Sequence, residues 1–283
     1  MNREFNAFTG MVYRQLKRWV SSRSRVVSVI LQPFLWLFFI GLGFGSIFSG
    51  NINIPFDNLP IPVNTTLIIQ SYFNKLFGGV YYITFIVSGL VVITAFIGSF
   101  ISGISVIWDK QVGFLKESLV APASRKIVIL GRIVGDSIVS TIQALVVIAV
   151  SLPFASGLKL VNVPIGLLYI FTTALGFTSL GVAVSLKFSS MEGFQVIVNL
   201  LTMPLMFLSG VFYPLTQLPG WMQAVSKLNP LTYSVHGVRY WLAGADVGFD
   251  YMNWYIDLLT AGMFSIALTA LAAELFEKTT IED

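Results

Sequence analysis

Of the 283 residues, 55% are hydrophobic and only 11% charged, against about 25% charge in an ordinary soluble domain, and the mean hydropathy is +0.81. This balance argues for a polytopic membrane protein, and the net charge of +4 is clustered at span ends rather than spread as a nucleic-acid-binding patch. Without cysteine, neither a disulfide framework nor a thiolate metal site is available.

The chain opens on an amphipathic segment, residues 1–25. Phe5, Phe8, Val12, Leu16 and Trp19 fall on one helical face, away from Arg14, Lys17 and Arg18. Such a helix is expected in the cytoplasmic membrane interface, as a topology anchor or with a mechanical role. The first apolar run, 26–48, is too long for a signal-peptide core, so insertion of the whole chain is expected. Residues 49–75, rich in Asn and Pro, read as an external loop. Further spans are expected at about 81–107, 134–156, 163–186, 194–213 and 254–275, giving six in all and an all-α fold. With both termini inside, 13 of the 17 Lys and Arg residues are cytoplasmic, leaving only Lys75, Lys159, Lys227 and Arg239 outside.

Between the second and third spans runs WDKQVGFLKESLVAPASRKIVILGR, from Trp108 to Arg132. Gly113 to Val120 suits a short helix stopped at Pro122. Tied to two spans it would be a lever, or else only a capped connector. In the fifth span Gln195, Asn199, Thr202, Met206 and Ser209 recur at helical spacing as an uncharged polar stripe. It reads either as interhelical hydrogen bonding or as the weakly polar wall of a path for amphipathic molecules. Thr84 and Ser88 lie on a small-residue face of the second span. From Gly193 to Ser226 there is no charge at all; as one helix this run would span roughly 50 Å against a hydrocarbon core of about 30 Å. It is too long for one span and too short for two, and Pro214 and Pro219-Gly220 break it.

Enzyme chemistry finds little support. No phosphate-binding loop of the type G-x-x-x-x-G-K-[ST] occurs, and the single histidine, His236, reads as a satisfied surface or interface residue. Asp136 is expected to pair with Arg132 near the cytoplasmic surface, and a proton relay is disfavoured for want of buried carboxylates.

GFLKESLVAPASR, the following LGR, and FLSGVFYPLTQLPGWMQAVSKLNPLTYSVHGVR resemble the signatures of type-2 ABC transporter permeases, in the branch exporting drugs and lipo-oligosaccharides. The resemblance covers nearly the whole chain. It implies a half-transporter that pairs with itself or a close relative in the cytoplasmic membrane and recruits two copies of a separate ATPase. ATP and magnesium would bind on that partner, leaving this chain without cofactor, metal or catalytic residues. It further implies an ATPase-coupling segment at about 112–125, with Gly113, Phe114, Leu115, Lys116, Glu117, Ser118, Leu119, Pro122 and Arg125. Spans two and five would line a path through Thr84, Ser88, Gln195, Asn199, Thr202, Met206 and Ser209. A re-entrant extracellular hairpin at about 214–240 would form a gate with Pro214, Pro219, Gly220, Asn229, Pro230 and Tyr233. The expected function is export of an amphipathic or hydrophobic compound; the alternatives are export of a glycan or glycolipid, or a non-transporting immunity or assembly factor.

Overall fold

The computed structural model describes residues 2–48, 65–114 and 123–278, and within them every regular element is helical. α1 is Asn2–Val20, α2 Arg23–Trp36 and α3 Gly43–Phe48, the last two joined by a π-helical stretch, Leu37–Leu42. α4 is Thr65–Leu76, α5 Tyr82–Ile101, α6 Ile104–Gln111 and α7 Arg125–Ser151. α8 is Val163–Ser185, α9 Met191–Phe207, α10 Gly220–Leu228, α11 Pro230–Leu242 and α12 Trp254–Lys278.

Among the described residues, four helical stretches are long and apolar enough to cross a membrane: Tyr82–Gln111, Arg125–Ser151, Leu160–Ser185 and Trp254–Lys278. Two shorter apolar stretches, Leu31–Gly45 and Met191–Phe207, correspond to the expected first and fifth spans. Pro33 lies inside α2, and the π-helical turns follow directly, the usual response when a helix loses a backbone donor. Three boundaries differ from the sequence reading. α4 is helical where a loop was expected; residues 49–64 of that segment lie outside the described residues. α7 starts at Arg125 rather than near 134, because Arg125 and Lys126 of its first turn are held by Glu277 of α12 instead of trailing as a loop. α9 ends at Phe207, not at 213.

α5, α7 and α8 form the centre, with α12 against α8, α11 against α8, α5 and α12, and α1 along α7. Hydrocarbon gives apolar side chains no drive toward one another, so close packing and polar satisfaction must hold such helices together. The interior hydroxyls are mostly satisfied within their own helices: Ser99 donates to Phe96 O at 2.9 Å, Ser137 to Ile133 O at 2.7 Å and Ser179 to Leu175 O at 2.7 Å. A few also cross between helices, as Thr173 does in donating to Ser234 Oγ at 2.7 Å, joining α8 to α11.

The α1–α7 contact depends on two glycines one turn apart. A methyl group at Gly131 would meet the carbonyl oxygen of Phe8 at 2.8 Å, and one at Gly135 would meet Cα of Val12 at 3.1 Å. α1 therefore lies backbone-close on α7 through Phe8, Met11, Val12 and Gln15, and its expected stripe is only partly used: Phe5 remains exposed.

Candidate functional site

Two polar constructions stand at opposite ends of the bundle. At the end carrying α1, Asp109 in α6 is 1% exposed and receives three arginines. Arg14 donates through both terminal nitrogens at 2.8 and 3.2 Å, Arg132 donates at 2.7 Å, and Arg18 stands 3.8 Å away. Arg132 also donates to Ser105 Oγ at 2.6 Å. A carboxylate taken this far from water requires such pairing, and here one anion joins α1, α6 and α7.

That junction sits where the expected coupling segment begins. The Arg14 guanidinium lies over the Phe114 ring, 3.8 Å from its centroid. Lys110 donates to Leu186 O at 2.8 Å and Gln111 to Ser189 O at 3.2 Å, fastening the end of α6 to the chain that follows α8. On the returning side Arg125 donates to Glu277 O at 3.3 Å, and Lys126 pairs with the Glu277 carboxylate at 2.9 Å. Gly113, Phe114 and Arg125 are thus placed at the two ends of the segment. Leu115, Lys116, Glu117, Ser118, Leu119 and Pro122 lie outside the described residues.

The expected Arg132–Asp136 pair is corrected: Arg132 turns to Asp109 and Ser105, and Asp136 Oδ2 has no hydrogen-bond partner. The want of buried carboxylates is corrected with it. Asp109, Asp136 and Asp257 are all buried, since tertiary partners or cavities stand beside residues that looked terminal in sequence.

At the far end, α9 gives way to a turn in which Gly210 has φ +77°, with Leu215 packed where a side chain would point. A single 3₁₀ turn, Leu215–Gln217, and Pro219 then lead into α10. Asn229 joins α10 to α11: its side chain accepts from Leu231 N at 3.0 Å as an N-cap, and its amide donates to Leu205 O at 2.8 Å. Pro230 occupies the first turn of α11, where its missing N–H costs nothing. Tyr233 donates to Lys227 O at 2.8 Å, clasping α10 to α11. Asn229, Pro230 and Tyr233 are therefore brought together, Pro214 is buried before the 3₁₀ turn, and Pro219 and Gly220 are exposed.

His236, expected to be a satisfied surface or interface residue, is satisfied but lies inside the chain, 2% exposed. Its Nδ1 is 2.6 Å from Asp257 Oδ2 and its Nε2 is 2.9 Å from Asp246 Oδ1. Burial opposes a charge on the ring, but the hydrogen bonds and charges of Asp257 and Asp246 outweigh it and raise the imidazole pKa above its ordinary value. Arg239 is 1% exposed and forms no ion pair among the described residues. It stacks on Phe85 at 3.6 Å and donates to Ser88 Oγ, Phe85 O and Val211 O at 3.3–3.4 Å.

The expected path residues separate into three groups. Thr84 and Ser88 are buried within the chain, Thr84 donating to Ser156 O and Ser88 to Phe85 O. Met206 and Ser209 are also buried, and Ser209 lies beyond the end of α9. Gln195 and Asn199 bond to each other at 2.9 Å on the outer side of α9, beside exposed Val196, Leu200 and Met203. Thr202 is half-buried, its hydroxyl without a partner. Among the described residues no group of three or more His, Cys, Asp or Glu side chains is disposed to hold a metal ion.

Residues 6–243 match the family model described as ABC-2 type transporter. The chain belongs to this family. It is 30% identical over 226 residues to a protein named transport permease ycf38 from Porphyra purpurea, covering 78% of this chain and 68% of that one. To the Escherichia coli protein named multidrug ABC transporter permease YbhR it is 28% identical over 186 residues, covering 62% and 48%. To the E. coli inner membrane transport permease YadH the figures are 29% over 191 residues, covering 65% and 74%. This ABC-2 chain is accordingly the membrane permease component of an ABC transporter.

Within this permease, Asp109 escaped sequence reasoning, as did the burial of His236 between Asp257 and Asp246. Asp109 sits at the end of an apolar run between Trp108 and Lys110, where an acid looks like an ordinary interface residue. Its signal was the excess of arginines on both flanking segments, Arg14, Arg18 and Arg132, with few acids to receive them.

Proposed function

We propose that this permease is the membrane subunit of an ATP-driven exporter that moves an amphipathic or hydrophobic compound out of the cytoplasm or inner leaflet. Two copies of the chain, or this chain and a close relative, would be served by two separate ATPase subunits on the side carrying α1. That side is the cytoplasmic one, where both termini and most of the Lys and Arg residues would lie.

The observation that carries this reading is the junction at Asp109, which grips both α1 and the root of the 112–125 segment through Arg14. Pressure on that segment by an ATPase would be delivered to α6, α7 and α1 together. Coupling then requires the inward and outward states to differ in their contacts with the ATPase. The exposed face of α9 supports an uncharged path at the subunit interface, because it offers amides, Met and Leu without fixed charge. α10 and α11 would form a re-entrant lid over the exit, held against α5 and α12 by Arg239 and His236.

Co-purification tests the assignment. An ATP-binding subunit should accompany the tagged permease in a one-to-one ratio, and its consistent absence from the gently solubilised membrane would overturn the exporter reading.

A further inference from the structure

A cavity of about 300 Å³ lies inside the single chain between α1, α2, α5 and α7, within the size range of small-ligand sites. Its apolar wall includes Trp36, Leu90, Ile93 and Ile97. Its polar wall carries groups that the protein leaves unanswered. Gln15 is 3% exposed and Asp136 9%, yet Gln15 Nε2 and Asp136 Oδ2 have no hydrogen-bond partner, and Trp19 Nε1 is buried likewise. Buried polar atoms are rarely left so without water or a ligand.

The unanswered groups are of both kinds: two N–H donors on α1, and one carboxylate oxygen on α7. Arg18 also lines the cavity, and around it Arg14, Arg18 and Arg132 outnumber Asp109 and Asp136. A ligand that satisfies this wall needs an anionic acceptor toward α1 and a cationic N–H donor toward Asp136. Pro33 and Leu90 also line a second, separate apolar cavity of about 10 Å³ beside Leu37, Val87, Val147 and Val150, too small to hold a chain.

We propose that this cavity binds a phospholipid with a primary-amine headgroup. The phosphodiester would face Gln15, Arg18 and Trp19, the ammonium would face Asp136, and the glycerol would lie on the apolar wall at Trp36, Leu90, Ile93 and Ile97. The site lies within one chain, apart from the exposed α9 face, and rests on the membrane setting of the fold rather than on the direction or substrate of transport.

Native mass spectrometry of the purified permease, with phosphatidylethanolamine, phosphatidylcholine and phosphatidylglycerol of matched chains added in turn, tests it. The ethanolamine lipid should be retained on the order of tenfold more tightly than either other, the worth of one charge-assisted hydrogen bond. Asp136→Asn should abolish that preference, and Ile97→Trp, which fills the cavity, should weaken all three. Equal retention of the three lipids would mean a water-filled cavity and overturn the proposal. Tighter choline binding would overturn it too, assigning the cavity to cation–π contact with Trp19 and Trp36. A preference that survives Asp136→Asn would do the same. If Asp136→Asn does not fold, the three-lipid comparison on the native chain decides alone. Failure of an ATPase to co-purify would leave every one of these outcomes unchanged.

Discussion

The two ends of the bundle handle buried charge in opposite ways. Near α1 one carboxylate is met by three arginines, two of them in direct hydrogen bonds. At the far end Arg239 rests on a phenyl ring, a hydroxyl and two carbonyl oxygens, with no carboxylate, while His236 is shared by two acids. The first arrangement fixes α1, α6 and α7 in one geometry, because losing any partner strands a charge. Arg239 relies on long, neutral contacts that another packing of α11 could replace at small cost, so at that end only His236, 2.6 Å from Asp257 and 2.9 Å from Asp246, ties α11 through charge. A part that transmits force is expected to resemble the first, and a part that opens is expected to resemble the second.

The sharpest way to break this contrast is at Asp109. Asp109→Asn leaves Arg132 and Arg14 without their buried counter-charge and should cost about 3–5 kcal/mol of stability, read by denaturant titration in mixed micelles. A loss below about 1 kcal/mol would reduce the junction to a surface-like ion pair.

His236 gives a smaller, pH-dependent effect. Its folded pKa is raised, so its stabilisation is fully present below the unfolded value of about 6.5 and is lost as pH rises through the folded value. Asp257 and Asp246 are the charged groups facing it. The thermal midpoint should therefore fall by roughly 2–4 °C across that rise, and His236→Gln should remove the dependence. A midpoint that climbs with pH in the native chain would show that the imidazole is held neutral.

Arg239→Met should change least. Replacing an unpaired buried cation with an apolar side chain of similar length is expected to shift stability by no more than about 1 kcal/mol in either direction. A loss comparable with that of Asp109→Asn would erase the difference between the two ends.

The long apolar helices were readable from hydropathy, because runs such as 163–186 have few other fates, whereas α4 was not. The break after α9 was also readable, since 34 uncharged residues from Gly193 to Ser226 fit neither one crossing nor two. Its position was not. Pro204 and the left-handed turn at Gly210 stop α9 at Phe207, which takes Ser209 off the helical stripe. Gly131 and Gly135 were visible as small residues one turn apart, but nothing local says that they admit α1. Side-chain partners were the least readable part. Arg14 and Asp109 are 95 positions apart and His236 and Asp257 are 21, so these pairings exist only through the packing of separate helices. Polar spacing within one helix identified a stripe, yet packing decided that Met206 faces inward while Gln195 and Asn199 face out.

The segment rooted at Asp109 and Arg14 is expected to transmit ATPase action to the spans. Substrate-stimulated ATP hydrolysis by the assembled complex carrying Phe114→Ala tests it most directly. Stimulation should fall at least about fivefold, the lower range of an allosteric coupling energy, while both subunits still co-purify. Undiminished stimulation in that complex would contradict it.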